Sequence, residues 1–468
     1  MKVKDIIKGT GATILHGGPD TEVSAICSDS RKAGKGSLFI AVKGCAVDGH
    51  AFIDAALAAG AAAVVSADRK ALALCADAFY DHPSRKLSLV GITGTNGKTT
   101  TVTLLYQLYM NMGYNCGLLS TIANYVGTRC SETANTTADP ITINSLLAEM
   151  VDAGCEYCFM EVSSIGMEQE RVAGLKFKVG VFSNLTHDHL DYHKTFAEYL
   201  RCKKLFFDSL DADAYAVTNV DDKHGLVMTQ NTAAKVVTYS CRAMADHSCR
   251  VLEESFEGML LKLDGTETWC RLIGQHNAYN LLAIYTTALC LGSDREEVLL
   301  GLSRLESAKG RLENIRGPKG LAVVIDYAHT PDALENVLCT LRDIAPSRQL
   351  ICLFGCGGDR DRSKRPEMAA IAEKLADRII VTSDNSRTER TEDILEEIRG
   401  GFSVDGLSKA IFISDRREAI RTAILTAAPD ATILLAGKGH ETYQIIGTDK
   451  AHFDEREIVA ETFKLMER

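Results

Sequence analysis

Between an apolar run, Leu87 to Ile92, and a helical pattern from about Thr99 to Met112 lies Gly91-Ile92-Thr93-Gly94-Thr95-Asn96-Gly97-Lys98-Thr99-Thr100. Residues of these types at this spacing suit phosphate. Glycines let backbone N–H groups converge on phosphate oxygens, Lys98 places a cation on the outer phosphates, and the Thr99 hydroxyl can hold Mg²⁺. The start of the helix adds a favourable dipole. The spacing departs from the ordinary Walker pattern, because Ile92 stands where the first glycine would fall and Gly94 lies closer to the lysine. Asn184-Leu185-Thr186-His187-Asp188-His189-Leu190-Asp191 ends a later apolar run. A bare His-Asp-His reads equally as a zinc site or as helix-cap polarity, and a phosphate loop on the same sheet favours magnesium. Cys155 and Cys158 form a C-x-x-C with no second pair at zinc-ribbon spacing, which reads as core thiols.

Three blocks of sequence must hold these groups in place. The first, 1–86, carries short strand patterns at Ser37 to Val42 and Ala63 to Val65, an apolar helix from Phe52 to Ala59, and a Pro-containing linker, His82 to Arg85. The second, 87–316, carries the phosphate loop. Its helix places Val102, Leu105, Leu108 and Met112 on one face. Apolar strands follow at Tyr157 to Val162, Val179 to Ser183 and Tyr215 to Thr218, the mark of a buried parallel sheet. Met259 to Leu263 and Thr268 to Leu272 flank Asp264-Gly265, a hairpin ribbon appended to that sheet. After the break Arg316 to Gly320 the third block, 317–468, alternates strands (Val323 to Ile325, Leu350 to Phe354, Ile379 to Thr382, Ile411 to Ile413, Ile433 to Leu435) with helical segments. That pattern predicts an α/β, Rossmann-like domain whose functional loops follow the strand ends.

Composition narrows the function class. The chain has 468 residues, 46% hydrophobic and 24% charged, with a formal net charge of -10. An acidic average field argues against non-specific binding to nucleic acid or an anionic membrane. The longest apolar stretch, Ala55 to Val65, is too short to span a bilayer, and Met1 to Thr10 has no apolar signal region. The 15 cysteines are odd in number and scattered among apolar runs, which suggests reduced thiols and a cytoplasmic setting.

Taken together, the motifs resemble those of the Mur ligase family, which builds the peptidoglycan peptide one amide at a time, and within it the branch that adds the third residue to UDP-MurNAc-L-Ala-D-Glu. Ser28-Asp29-Ser30-Arg31 and Asp48-Gly49-His50 match the UDP-binding segment, with Ser30 as the implied uridine or pyrophosphate contact. Asn135-Thr136-Thr137 matches the muramyl motif, with Ser163, Gln169 and Arg171 as further substrate contacts. Arg171 offers a fork for a carboxylate. The resemblance also implies that Glu161 and His189 ligate a second Mg²⁺, and that Lys203, not Lys204, is carbamylated to an anion beside the metal. Without it, both lysines read as a solvated helix face. For ATP it adds Asn277 within Gly274 to Asn280, Arg311 facing phosphate and Asp326 accepting ribose hydroxyls, alongside Gly94, Thr95, Asn96, Gly97, Lys98, Thr99 and Thr100.

The third block would bind the incoming amino acid. Gly358-Asp359-Arg360-Asp361, Asp384-Asn385-Ser386-Arg387 and Gly437-Lys438-Gly439-His440-Glu441 match the stretches that grip meso-diaminopimelate in one branch of the family, which usually has Pro where this chain has Ser386. Lysine ends in an ammonium alone, whereas diaminopimelate carries a second carboxylate there as well. An arginine fork, Arg387 supported by Arg360, complements that carboxylate, and Glu441 complements the adjacent amine. Asp384, Asn385, Ser386 and Gly437 complete the implied site. The expectation is an ATP-dependent amide ligase working as a monomer on small molecules. L-lysine is the alternative third residue, and a non-catalytic nucleotide switch is the alternative from another class. The muramyl motifs argue against a folylpolyglutamate-synthetase-like enzyme.

Overall fold

Runs of valine, isoleucine and leucine closed by glycine or a hydroxyl residue become parallel strands here, because only burial on both faces suits such runs. The computed structural model describes residues 1–44, 47–133, 135–186 and 190–466. They divide into two compact units: Met1–Arg250 with Leu263–Thr268 and Tyr279–Arg304, and Val251–Lys262 with Trp269–Ala278 and Leu305–Arg468.

The first unit holds two sheets. Strands β1 (Thr13–His16), β2 (Ala25–Cys27), β3 (Ser37–Val42) and β4 (Ala63–Ala67) pair in the order β1-β4-β3-β2, with β1 antiparallel and the rest parallel. The larger sheet is built from β5 (Ser88–Thr93), β6 (Cys116–Leu119), β7 (Asn124–Val126), β8 (Arg129–Ser131), β9 (Tyr157–Glu161), β10 (Phe177–Phe182), β11 (Tyr215–Asn219) and β12 (Lys235–Ser240). Its order is β12-β11-β10-β5-β9-β6-β7-β8, parallel except for the last two pairings. The phosphate loop leaves β5 at the centre of this order, and helix α1 (Lys98–Asn111) follows it.

Val102, Leu105 and Leu108 of α1 are fully buried as the periodicity predicts, while Met112 lies just past its end; Leu104 and Tyr109 are buried too, so more than one face of the helix is covered. The expected linker is also different. Pro83–Arg85 form a 3-10 turn in which Pro83 and Ser84 are buried, and the Ser84 hydroxyl accepts from the Lys176 backbone N–H at 3.0 Å. A contact so distant in sequence turns a predicted break into a fixed corner. The expected helix Phe52 to Ala59 is shorter, Ile53–Ala58, after a 3-10 turn that leaves Phe52 exposed.

Next in the chain come β13 (His247–Ser255), β14 (Gly258–Leu263) and β15 (Thr266–Cys270). Asp264 and Gly265 make the turn at φ +43° and +88°, and β15 begins and ends two residues earlier than the apolar pattern suggested. In the second unit β16 (Glu313–Arg316), β17 (Ala322–Asp326), β18 (Leu350–Phe354), β19 (Arg378–Val381), β20 (Ala410–Phe412) and β21 (Thr432–Ala436) pair in the order β16-β17-β21-β18-β19-β20, all parallel but β16. A hairpin, β22 (Tyr443–Ile446) and β23 (Asp449–His452), follows. Apolar clusters cover both faces of this sheet, with Val324, Leu434 and Phe354 on one and Ile325, Leu353 and Leu435 on the other. The parallel α/β class read from the sequence is the class observed. Among the described residues no helix is long and apolar enough to cross a membrane, and the described cysteines are all free thiols.

Candidate active site

Functional side chains gather at the carboxyl ends of parallel strands, where the chain turns and backbone groups lack sheet partners. In the phosphate loop, Gly94 has φ +147°, and a Cβ there would stand 2.0 Å from the Ser183 Oγ. Gly97 has φ +87° and would meet the Asn280 Oδ1 at 2.5 Å. Only glycine fits either place. Ser183 and Asn184, at the end of β10, hold the loop from the side: Ser183 Oγ donates to the Asn96 carbonyl at 2.6 Å, and Asn184 accepts from the N–H groups of Thr95 and Asn96. Lys98 donates to the carbonyls of Gly94 at 2.9 Å and Thr95 at 2.8 Å. Thr99 and Thr100 are buried at the start of α1.

Lys203 reaches the same loop from helix α2 (Phe196–Asp208). It is 1% exposed, and its Nζ donates to the Gly94 carbonyl at 2.7 Å. Lys204, one residue on, points away and pairs with Asp208. One helical step separates a buried cation at the phosphate loop from a half-buried cation with a neighbouring aspartate.

Glu161, the last residue of β9, pairs in register with Ile92 of β5, just ahead of the loop. It is 0% exposed; its Oε1 accepts from the Thr121 N–H at 2.8 Å, and its Oε2 has no hydrogen-bond partner among the described residues. A buried carboxylate oxygen without a donor is a position that a cation satisfies, and oxygen donors of this kind suit Mg²⁺. Glu161 with the Thr99 hydroxyl therefore fits magnesium. His187, Asp188 and the expected ligand His189 lie outside the described residues.

Beside these groups the first unit contains a cavity of about 650 Å³ lined by Ser30, Arg31, Arg69, Asn135, Gln169 and Arg171 among others. Arg31 forks onto Asp29 and, with its own N–H, holds that carboxyl down at about 2. Arg171 donates to the Thr137 carbonyl at 2.5 Å and to Gln169 Oε1 at 2.8 Å, so its fork is fixed by protein groups at the cavity wall. Thr137 in turn donates to the Glu161 carbonyl and accepts from the Ser163 N–H, both at 3.0 Å, and Ser163 caps the short helix Ser164–Glu168. Thr136 accepts from the Thr121 hydroxyl at 3.1 Å. Thr121 thus joins the muramyl motif to Glu161; its place just past the end of β6 was the signal that sequence reasoning passed over.

In the second unit four loops leave the carboxyl ends of β17, β18, β19 and β21. Asn385 donates to Glu441 Oε2 at 2.8 Å and accepts from the Ile445 N–H at 2.9 Å. Arg387, at φ +50°, donates to the carbonyls of Gly358 and Asn385 at 2.8 and 3.3 Å. Its loop is docked on the hairpin through the Gly447 N–H to the Arg387 carbonyl at 2.7 Å. Ser386 is 1% exposed, its hydroxyl has no partner among the described residues, and Arg360 is exposed. Arg416 is 1% exposed and donates to the carbonyls of Ser383 and Ala436, immediately before Asp384 and Gly437, while its Nε–H donates to Glu455 at 2.8 Å.

Both Asp326 oxygens accept backbone N–H groups, from Leu312 and Ala328 at 2.8 Å each, so this carboxylate staples its own loop, and each oxygen keeps a lone pair for a further donor. Burial pushes its carboxyl above the usual range, against the pull of Arg311. Arg311 lies 5.0 Å over the Tyr327 ring with its Nε unpartnered. Asn277 is buried and donates to the Ile273 carbonyl at 2.7 Å.

Comparison with known proteins fits this geometry. Residues 92–288 match the Mur ligase middle domain, 310–439 the Mur ligase glutamate ligase domain, and 22–92 the Mur ligase family catalytic domain. A UDP-N-acetylmuramoyl-L-alanyl-D-glutamate--2,6-diaminopimelate ligase of Cytophaga hutchinsonii is 50% identical, over 98% of this chain and 99% of its own. The chain belongs to the Mur ligase family. A Parabacteroides distasonis ligase of the same name is 48% identical over 99% of each chain. Among solved structures, one of a ligase so named aligns over 100% of this Mur ligase and 99% of its own chain, with a TM-score of 0.73 and 32% identity. A MurF ligase of Thermotoga maritima in complex with ADP shares the fold at TM-score 0.64 and 18% identity, covering 95% of this chain and 97% of that one.

Within this Mur ligase, the first unit brings together Lys98, Lys203 and the phosphate loop, and separately Glu161, Thr136, Thr137 and Ser163. Ser30, Asn135, Gln169 and Arg171 line the cavity. The second unit brings together Asp384, Asn385, Arg387, Gly437 and Glu441, with Arg360 at the rim.

Proposed function

We propose that this chain is an ATP-dependent ligase that joins meso-diaminopimelate to the D-Glu of UDP-MurNAc-L-Ala-D-Glu, a cytoplasmic step of peptidoglycan biosynthesis. The γ-carboxylate of D-Glu attacks the γ-phosphorus of ATP, giving an acyl phosphate and ADP. The α-amine of diaminopimelate then attacks the activated carbonyl and phosphate leaves. Positioning and charge neutralisation account for the rate, and no protein nucleophile is needed.

Lys98 and the loop N–H groups hold the polyphosphate, and Arg311 is a further phosphate contact implied by family resemblance. Glu161 and the Thr99 hydroxyl would hold Mg²⁺, with His189 implied by family resemblance; the ion, when bound, offsets charge on the phosphates. Lys203 is the residue to be carbamylated. The ammonium loses a proton, the amine adds CO₂ with loss of a second proton as the N–C bond forms, and the carbamate keeps one Nζ–H for the Gly94 carbonyl with one negative charge shared by two oxygens. The cavity residues Ser30, Asn135, Gln169 and Arg171 would receive the UDP-muramyl peptide.

The observation that carries the choice of amino acid is that Arg387 and Glu441 both converge on Asn385, from the loops after β19 and β21, the strands on either side of β18. A guanidinium suits a far-end carboxylate, and a carboxylate suits the amine beside it. The purified protein, given ATP and the muramyl dipeptide, should consume meso-diaminopimelate far faster than L-lysine. Equal or reversed rates would remove the role given to Arg387. Phosphate release that needs neither the UDP-sugar peptide nor the amino acid would remove the ligase reading altogether.

A further inference from the structure

Gly437-Lys438-Gly439 looks locally like a flexible turn, yet Lys438 is 0% exposed. Its Nζ lies 3.1 Å from Glu441 Oε2, 3.2 Å from Asn385 Oδ1 and 3.8 Å from Asp384 Oδ1. The rings of Tyr443 and Phe453 stand 5.7 and 5.8 Å from the ammonium, where their faces favour a cation. A buried lysine needs such partners, since an isolated ammonium is expensive to desolvate.

Hydrogen-bond chemistry fixes the direction of every group around it. The Lys438 ammonium and the Ile445 N–H can only donate, so the Asn385 amide must turn its oxygen to both and its NH₂ to Glu441. Glu441 Oε2 then accepts from both Asn385 and Lys438. Its Oε1 takes no hydrogen bond from any described residue. One oxygen is pinned and the other is left for a ligand. Formal charge is consistent with this division: two carboxylates, Asp384 and Glu441, against one ammonium leave a single negative charge.

We propose that Lys438 is a positioning residue of the amino-acid site, which anchors Glu441 by one oxygen and so presents the other to the far-end ammonium of the incoming diamino acid. This rests on the assignment of that site given above. Lys438 does not touch the reacting atoms; it acts through Glu441 and Asn385. Its loss takes from Glu441 Oε2 one of its two donors, and it leaves two negative charges where one ammonium must bind.

The test uses the full-length enzyme with ATP, the UDP-muramyl dipeptide and whichever amino acid the wild type turns over. Diaminopimelate and lysine both carry the far-end ammonium, so the wild-type assay alone decides between them and does not bear on Lys438. Lys438→Met should raise KM for the amino acid at least tenfold, with KM for ATP and for the muramyl dipeptide within twofold of wild type. In a Glu441→Gln background the same change should add less than threefold, because the group it positions has gone. A purely structural lysine would instead lower the melting temperature and move all three KM values together, or its effect would add in full to that of Glu441→Gln. Either result overturns the proposal. If Lys438→Met does not fold, Lys438→Gln carries the same comparison, with a selective rise in the amino-acid KM expected and an unselective one refuting it.

Discussion

Glu161→Gln is expected to change stability and activity in opposite directions. The wild-type carboxylate is 0% exposed and, among the described residues, receives one hydrogen bond, from the Thr121 N–H, at one oxygen and none at the other. A buried charge so poorly met costs several kcal/mol, whereas a neutral amide with one unmet group costs about 1–3 kcal/mol. Exchanging one for the other should therefore stabilise the metal-free protein by about 1–3 kcal/mol. For a unit of this size that is roughly 2–10 °C in melting temperature. The amide cannot ligate Mg²⁺ as the carboxylate does, so turnover should fall at least about 100-fold. Melting curves with chelator, and with Mg²⁺ plus an unreactive ATP analogue, read both halves. Wild type should gain stability with the metal and nucleotide, and Glu161→Gln should gain much less. A variant that melts below wild type in chelator, or one that keeps full turnover, would show that the unmet oxygen is not the metal's place.

Gly94→Ala forces a Cβ to within 2.0 Å of Ser183 Oγ at φ +147°, so it should cost about 1–3 kcal/mol in backbone strain and abolish nucleotide binding measurable by titration calorimetry. Arg365 is 0% exposed and pairs with Glu389 at 2.9 Å and Glu397 at 2.6 Å; Arg365→Met should lose about 3–5 kcal/mol in urea unfolding of the second unit, and a loss below about 1 kcal/mol would contradict the burial argument. Burial, with Arg311 and Arg456 nearby, holds the His440 imidazole down at about 4. The unfolded chain then takes a proton that the folded chain refuses, so the full stability present above about pH 6.5 is lost progressively as pH falls toward 4. His440→Asn should flatten that limb of the stability curve, and an unchanged limb would remove His440 as its source.

Strand cores were legible because apolar runs bounded by glycine or charge have few other uses. Leu350–Phe354 matches its predicted bounds and β17, β19, β20 and β21 differ by one residue at each end, whereas the antiparallel edge strand β16 was not anticipated. The phosphate loop was legible because its chemistry is local to ten residues. Long-range contacts were not legible. Nothing in His82-Pro83-Ser84-Arg85 announces that Lys176 will hold Ser84, and nothing in Gly-Lys-Gly announces an ammonium without solvent. Lys203 and Lys204 could be told apart only by family resemblance, since helix α2 turns one to Gly94 and the other to Asp208. Asp326 was read as a ribose acceptor from its motif, and the two backbone N–H groups it serves are visible only once the loop is folded.

Arg416 ties the carbonyls of Ser383 and Ala436 to one guanidinium, and the carboxylate that holds it comes from Glu455, at the start of the last helix, Glu455–Met466. The two substrate-gripping loops are thereby braced from beneath by the final segment of the chain. Exchanging Glu455 for glutamine would remove no residue of the pocket, yet would weaken the brace under both loops at once, so such a variant should fail at amino-acid capture first.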